Sequence, residues 1–528
     1  MSEAQEAKAM LPEEYSRPSV ALFVTYYPGN RLSRDAVNSA KKIRFTDKYF
    51  NHNLETTGVE MPGKLIEMPR EDRSRELKKY LENNDIGREM LAKWFNRQEN
   101  GMFNLDYIHE CGLYDATDQD VLMAEASKRG EAVLQDAGRK LINKTYALFI
   151  VPKTFESFDN EMSHGWTSVF DIFLFKLDFD DDDVSRFYEV WPYPDDPDDV
   201  RQKKIAAFDT LSFDFTPFYG KNDMTSSASE LYALTNHPKS SAELFDKLVI
   251  EMYREALFRI DKDLEPFRVK VNVSGTHPIT SKVGKKEGLH CDQRYFVYEY
   301  VWSEAEGEPV PRRKAVVRAA GNVADNRNIA TGDSPESKFY QVYGGTVKQG
   351  MVMQQRNDLG LSVLAGYETG GIAGITAGFW LRTGFITRIP SFYVMGDLGF
   401  DSGDYDPDPQ ELEKNDYSFF RFSVGLGKGL RFARFFEITP YLAWGMESTS
   451  NKTLTTIRTN YVKGGGAFGV SLTHFLSLIG QVNYYEPFGN IQTKRSSDAD
   501  LQEKDYTWKD AFADREGMGF MFGIRIEF

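Results

Sequence analysis

The chain has 528 residues, 41% of them hydrophobic, with a mean hydropathy of -0.48 and no run of about 18 apolar residues, which excludes a membrane protein built of spanning helices. Lys and Arg number 64 against 79 Asp and Glu, a formal net charge of -15, which argues against a phosphate backbone as partner and hence against nucleic acid. The length exceeds one ordinary core and calls for two or three domains. The 39 Phe and 27 Tyr are a heavy aromatic load, and Cys111 and Cys291 leave open either a disulfide in an oxidising compartment or two separate thiols.

Residues 1–18 are polar and Glu-rich and are expected to form a mobile N-terminal segment. They lack the cationic stretch and apolar core of a signal peptide, so an exported chain would carry this numbering only after its signal was removed. Residues 19–275 read as a periplasmic α+β domain. V-A-L-F-V-T, just after Ser19, is a first strand; helical spacing starts near Ser74 and continues over 88–97; Thr117 caps a helix expected over 118–144. Strands are expected at 146–151, 169–179 and 207–215. Between them Asp180–Asp183 and Asp195, Asp196, Asp198 and Asp199 read as solvated acidic loops, with calcium binding through carboxylate oxygens as the rival reading, although no D-x-D-x-D-G pattern is present. Ser240 and Glu243 make a capping box that opens a helix to about Asp263, and a strand follows at 267–273. Residues 276–357 change to short strands at 295–302, 314–318, 338–344 and 350–354, a small β-rich domain.

From residue 358 the unit repeats as a strand of about ten residues and a turn: 359–367, 373–383, 392–400, 419–428, 437–446, 461–472, 475–485 and 517–528. The last is the most diagnostic. Met518, Phe520, Phe522, Ile524, Ile526 and Phe528 share one face, while Gly517, Gly519, Met521, Gly523, Arg525 and Glu527 share the other. Such a strand needs an apolar medium outside and a polar interior, and a transmembrane β-barrel supplies both with strands of about 9–11 residues. Connectors alternate in length: short after strands two, four and six, longer at 401–418, 447–460 and 486–516, with a short first loop at 368–372. Barrels of this kind carry short periplasmic turns and long external loops, which places residues 19–357 in the periplasm.

Parity along each strand then turns Arg382, Asp397, Arg421, Glu437, Tyr441, Lys463, Gln481, Arg525 and Glu527 inward. Eight strands enclose a lumen just wide enough for side chains to fill, and opposed charges there are expected to close into an ion-pair network that plugs it. Phe520, Phe522, Ile524, Ile526 and Phe528 form the lipid face of the C-terminal assembly strand. Residues 358–528 thus resemble the eight-stranded OmpA/OmpX-type barrels of bacterial outer membranes, which typically close on an aromatic residue. With phrases such as M-L-A-K-W-F-N-R, G-L-Y-D-A-T, F-Y-Q-V-Y-G and V-A-D-N-R, the whole resembles outer-membrane proteins of Bacteroidota that carry a large N-terminal region of unassigned activity.

The resemblance supplies a location and a fold but no catalytic residue. Barrels that are enzymes place His, Asp, Ser or Glu near the external rim, whereas His474, the only His after residue 357, falls in a periplasmic link. No H-E-x-x-H, G-x-S-x-G or Walker pattern is present, and no cofactor is expected. His290-Cys291-Asp292 lacks the paired ligands of a structural zinc site. The leading expectation is a non-enzymatic outer-membrane anchor in contact with membrane lipid and lipopolysaccharide. Its residues 19–357 would bind an envelope protein, peptidoglycan or an assembly or export machine. Basic residues of the last external loop, Lys494, Arg495, Lys504, Lys509 and Arg515, are candidates to meet lipopolysaccharide phosphates, and the loop Asp401–Pro409 reads as a solvated acidic loop, a calcium site or a bridge to those phosphates through divalent cations. The rivals are a narrow channel, an enzyme whose site gathers His277, His290 and Asp292, and a wholly soluble chain.

Overall fold

The computed structural model describes residues 17–49, 56–104, 142–235, 237–305, 307–327, 335–407, 412, 415–451, 454–495 and 500–528. The expected N-terminal segment up to residue 16, Cys111, and the expected helix over 118–144 up to residue 141 lie outside these residues. The first sheet has the order β2-β1-β3-β4-β5, with β1 (Ser19–Tyr26), β2 (Thr57–Glu60), β3 (Thr145–Asp159), β4 (Ser163–Leu177) and β5 (Phe215–Leu231). β1 is parallel to both neighbours and buried on both faces, as its unbroken apolar run requires. Ala21 and Phe23 face one core with Phe149, Phe175 and helices α2 (Arg70–Asn83) and α3 (Ile86–Trp94). Val20, Leu22 and Val24 face the other, with Leu148, Ile172 and helices α1 (Arg31–Ala40) and α6 (Ser241–Asp263). Helices therefore cover both faces of a mixed sheet.

The first acidic stretch opens a helix, whereas in the second Asp195 and Asp196 lie in a turn and the exposed Asp198 and Asp199 begin a helix. Asp180 accepts from Asp183 N at 3.0 Å in a capping box that opens α4 (Asp181–Glu189), and Asp198 and Asp199 form the first turn of α5 (Asp198–Phe208). Carboxylates there satisfy free N–H groups and complement the helix dipole. The strand expected at 207–215 is also corrected. Phe208 ends α5, Phe213 sits in the following loop, and β5 begins only at Phe215. All three rings enter the same core, so a helix end and a loop mimic strand alternation. The capping box at Ser240 is present, with Ser240 N donating to Glu243 Oε2 at 2.8 Å and Glu243 N to Ser240 Oγ at 3.3 Å.

A second, wholly antiparallel sheet has the order β6-β12-β9-β10-β11-β8-β7. Its strands are β6 (Lys270–Asn272), β7 (Gly275–Thr276), β8 (Ile279–Ser281), β9 (Arg294–Ser303), β10 (Glu308–Ala319), β11 (Ser337–Gly344) and β12 (Val352–Gln355). It takes in residues 270–272, expected to belong to the first domain, because β12 pairs with β6 through Met353 and Val271. One face packs Tyr295, Val297, Val317, Phe339 and Met353 into a core. The other carries Phe296, Val316, Arg318 and Tyr340. The first two units meet where Lys48 Nζ lies 2.7 Å from Asp261 Oδ2 and donates to Gln355 Oε1 at 3.2 Å.

The third sheet closes on itself. Its strands are β13 (Leu361–Gly370), β14 (Gly374–Arg382), β15 (Phe392–Tyr405), β16 (Asn415–Lys428), β18 (Phe436–Thr449), β19 (Thr456–Ser471), β20 (Leu476–Lys494) and β22 (Gly517–Glu527). β13 pairs with β22 through Ala365↔Ile524, and β16 with β18 through Gly425↔Ala443. Short β17 (Leu430–Ala433) lies in the turn before β18, and β21 (Gln502–Thr507) adds to β20 above the barrel. Short helices α7 (Gly384–Thr387) and α8 (Trp508–Ala511) follow β14 and β21. Strands alternate an exposed apolar face (Phe522 is 72% exposed, Leu442 63%) with a buried one. No helix among the described residues is long and apolar enough to cross a membrane, which says nothing of strands.

Cys291 is a buried free thiol just before β9, and burial pushes its pKa up to about 12. At pH 8 the group is therefore protonated and inaccessible. Peptide mapping after maleimide treatment should find Cys291 unmodified in folded protein and fully modified after denaturation. Native labelling at the rate of an exposed thiol would contradict its placement.

Candidate functional site: the barrel interior and its cap

Inward side chains stack in layers along the barrel axis, each a small ionic cluster. In the middle layer Glu368 is fully buried and receives Arg421 NH2 at 3.0 Å, Thr376 Oγ1 at 3.2 Å and Asn483 Nδ2 at 2.8 Å. Lys463 Nζ stands 3.7 Å from Glu368 Oε1 and 3.5 Å from Asp397 Oδ1. Gly399 makes room for this layer, since a Cβ there would lie 2.4 Å from Arg421 Cζ. Tyr441 donates to Gln481 at 3.1 Å beside a void of about 10 Å³, at the lower edge of what one water needs.

Toward the short turns, Glu437 holds Arg525 at 3.1 Å and Arg431 at 3.0 Å and accepts from Tyr393 at 2.9 Å. Arg382 reaches Glu527 at 3.5 Å. The nine side chains that parity turns inward are thus spread over successive layers, and they meet partners that parity alone did not single out. Glu368 was expected to begin an external loop; it lies within β13, which runs past Tyr367 to Gly370. Arg515 was expected to face lipopolysaccharide. It is buried instead, 2.7 Å from Asp401 and paired with Glu447, its guanidinium 3.7 Å from the Phe419 ring centre. Asp401 is thereby engaged within the protein rather than offered to a divalent cation. Lys509 pairs with Glu516 at the surface. Tyr417, Phe419, Ile457, Ile491, Trp508 and Phe512 form a small core at the loop end, in contact with Arg515 through Phe419.

The turn end is closed from outside the barrel. Arg318, on β10 of the second sheet, has a side chain 1% exposed and binds both Asp358 and Glu527, while its NH1 donates to Asp292 O at 2.7 Å. Asp292 accepts from Ser391 N, in the β14–β15 turn, at 3.0 and 2.9 Å, and from Tyr340 OH at 2.6 Å. Gly384 permits this approach, since a Cβ there would stand 2.1 Å from Asp292 Oδ2. Arg434 donates to Thr346 at 2.7 Å, and His474 meets Phe296 edge-on at 5.3 Å between ring centres. The groups an enzyme reading would gather each have their own partners. Asp292 serves Ser391 and Tyr340, His290 Nδ1 contacts Cys291 O at 3.1 Å, and His277 Nδ1 contacts Thr276 at 3.0 Å. Among the described residues no cluster of three or more His, Cys, Asp or Glu is placed to hold a metal.

An apolar outer belt, a charged inner face and a closed eight-stranded antiparallel ladder define a transmembrane β-barrel of the outer-membrane type, here joined to two further folded units. No protein-family model and no curated protein matches the chain. Among solved structures it is similar to a major outer membrane protein from Thermus thermophilus, at 17% identity and a TM-score of 0.24, over 32% of this chain and 98% of that one. It is likewise similar to the Yersinia pestis outer membrane protein Ail (9% identity, TM-score 0.20, 32% of this chain and 98% of that one) and to Acinetobacter baumannii CarO2 (11%, 0.17, 33% and 100%). At such scores these likenesses carry no weight beyond the kind of fold, and the barrel rests on its own strand pairings.

Two substitutions test the interior. Glu368→Ala leaves Arg421 and Lys463 buried without their shared anion and should cost about 3–5 kcal/mol. The readout is a lower temperature for loss of the fast-migrating folded band on a gel. Arg318→Ala should leave that band in place but expose the segment around Asp358 to limited proteolysis, because it frees the second sheet without touching the barrel ladder. A variant as protease-resistant as the unaltered protein would show that Arg318 does not hold the cap.

Proposed function

We propose that the protein is a non-conducting, non-enzymatic anchor of the bacterial outer membrane that holds its two soluble units in the periplasm for binding an envelope partner. The observation that supports this most is the succession of ionic layers across the lumen from Arg515 at the loop end to Arg318 at the turn end. A pore would need a lumen free of such pairs. The periplasmic placement is supported by the connectors. The second sheet caps the end with the short turns, and the longer loops gather at the opposite end.

The soluble units account for about two-thirds of the chain, far more than a bare anchor needs. A candidate surface for an envelope protein or peptidoglycan is the side of β5 away from β4, an edge of the first sheet. Beside it lies an open groove of about 490 Å³ lined by Thr225–Ser229 and by Lys247, Glu251, Arg254 and Phe258 of α6. Free sheet edges accept extended segments by strand addition.

Purified protein reconstituted in planar bilayers should show no stepwise conductance, and a photo-crosslinker at exposed Ser227 should give a discrete adduct in cells. Regular single-channel steps from the unaltered protein would overturn the anchor reading. Absence of any adduct at Ser227 would remove β5 as the partner surface.

A further inference from the structure

We propose that the cleft between the second sheet and the barrel's turn end binds the phosphate headgroup of a phospholipid from the leaflet facing the soluble units. The cleft is open, about 490 Å³, and its lining includes Arg313 and Lys314 of β10, the Gly344–Gly345 backbone, and Phe435 and Ser471 of the barrel rim. Its position is the first support. Phe432 (68% exposed) and Phe435 (54%) flank Arg434 in the turn before β18, and Leu472 and Phe475 are exposed on the neighbouring turn. Exposed aromatics beside a cation at a barrel rim mark the level where acyl chains give way to headgroups.

Charge is the second support. Lys314 is partly neutralised by Glu299 at 3.2 Å. Arg313 meets no carboxylate among the described residues; its guanidinium lies 5.0 Å from the Phe296 ring centre, and the side chain is exposed. Arg434 is exposed too and, among the described residues, donates to the neutral Thr346 hydroxyl at 2.7 Å and meets no carboxylate. Arg313 lines the cleft, while Arg434 stands at its margin, next in sequence to the lining Phe435 and bonded to Thr346 beside the lining Gly345; guanidinium forks match phosphate oxygens. The local build keeps the site open. β10 has an irregular register between Arg313 and Ala315, and Gly344, at φ +99°, comes so close to β10 that a Cβ would stand 2.5 Å from Lys314 O. Phosphate oxygens would face Arg313 and Arg434, with the acyl chains running along Phe435 and Phe432.

This inference rests on the barrel being membrane-spanning, and the experiment separates the two. Full-length protein in mild detergent is titrated with dioleoyl phosphatidylglycerol, and retained lipid is counted by native mass spectrometry, with heat-dependent gel mobility as the check on folding. The unaltered protein should retain the lipid, R313Q/R434Q should lose at least tenfold in apparent affinity, and K41Q on the first domain should change nothing. R434Q alone, on an exposed turn, should show a smaller loss and guards against misfolding of the double variant. Equal retention by folded R313Q/R434Q overturns the proposal. So does equal retention of dioleoylglycerol, which has the chains but no phosphate, or displacement of the lipid by millimolar inorganic phosphate, which would make this a site for free anions. Failure of the unaltered protein to need detergent or to shift on heating would instead remove the barrel reading itself.

Discussion

One guanidinium decides how the second sheet and the barrel of this molecule fit together. Arg318 leaves the second sheet, enters the turn end of the barrel and binds Asp358, just before the first barrel strand, and Glu527, at the end of the last. The place where a barrel must be sealed, its first and last strands, is thus held by a side chain from another unit. Asp292 completes the arrangement by taking the backbone of Ser391 across the same interface. A buried charge without a partner costs several kcal/mol, so each member of this set constrains the others.

The same constraint runs the length of the lumen. In lipid the outer face of each strand must be apolar, and polar groups are confined within. Here Glu527, Glu437, Glu368 and Glu447 succeed one another from turn end to loop end, each met by Arg or Lys. Small residues such as Gly399 give way where a guanidinium has to pass. The contacts continue into the second sheet and, through Lys48, Asp261 and Gln355, into the first unit.

Much of the barrel was legible because alternation has one cause there. Phe520, Phe522 and Ile524 must meet lipid, and Arg525 must not. The pattern fades where that cause ends. β20 continues to Lys494, beyond the 475–485 read from the sequence, because above the lipid its outer face has no need to be apolar. Glu368 shares inward parity with Leu364 and would have been found had the strand been extended past Tyr367, but Thr369-Gly370-Gly371 reads as a turn. Arg515 and Arg318 carry no comparable signal. Neither lies on a barrel strand, and nothing in A-V-V-R says that the face bearing Arg318 meets a barrel mouth. The run 208–215 misled for the opposite reason, since alternation of Phe there reflects one shared core rather than an extended backbone.

The closed cap requires the second sheet and the barrel to form one body at the turn end. That is tested most directly by a spin-label distance between Lys338→Cys on β11 and Ala433→Cys in the turn before β18. The measurement is made in lipid nanodiscs with Cys111 replaced by Ser and with Cys291 left buried in the fold. A single narrow distance distribution is the predicted result. A broad or multimodal distribution in protein with an intact barrel would show that the sheet is tethered beside the mouth rather than locked into it, and the closed-cap account would fail.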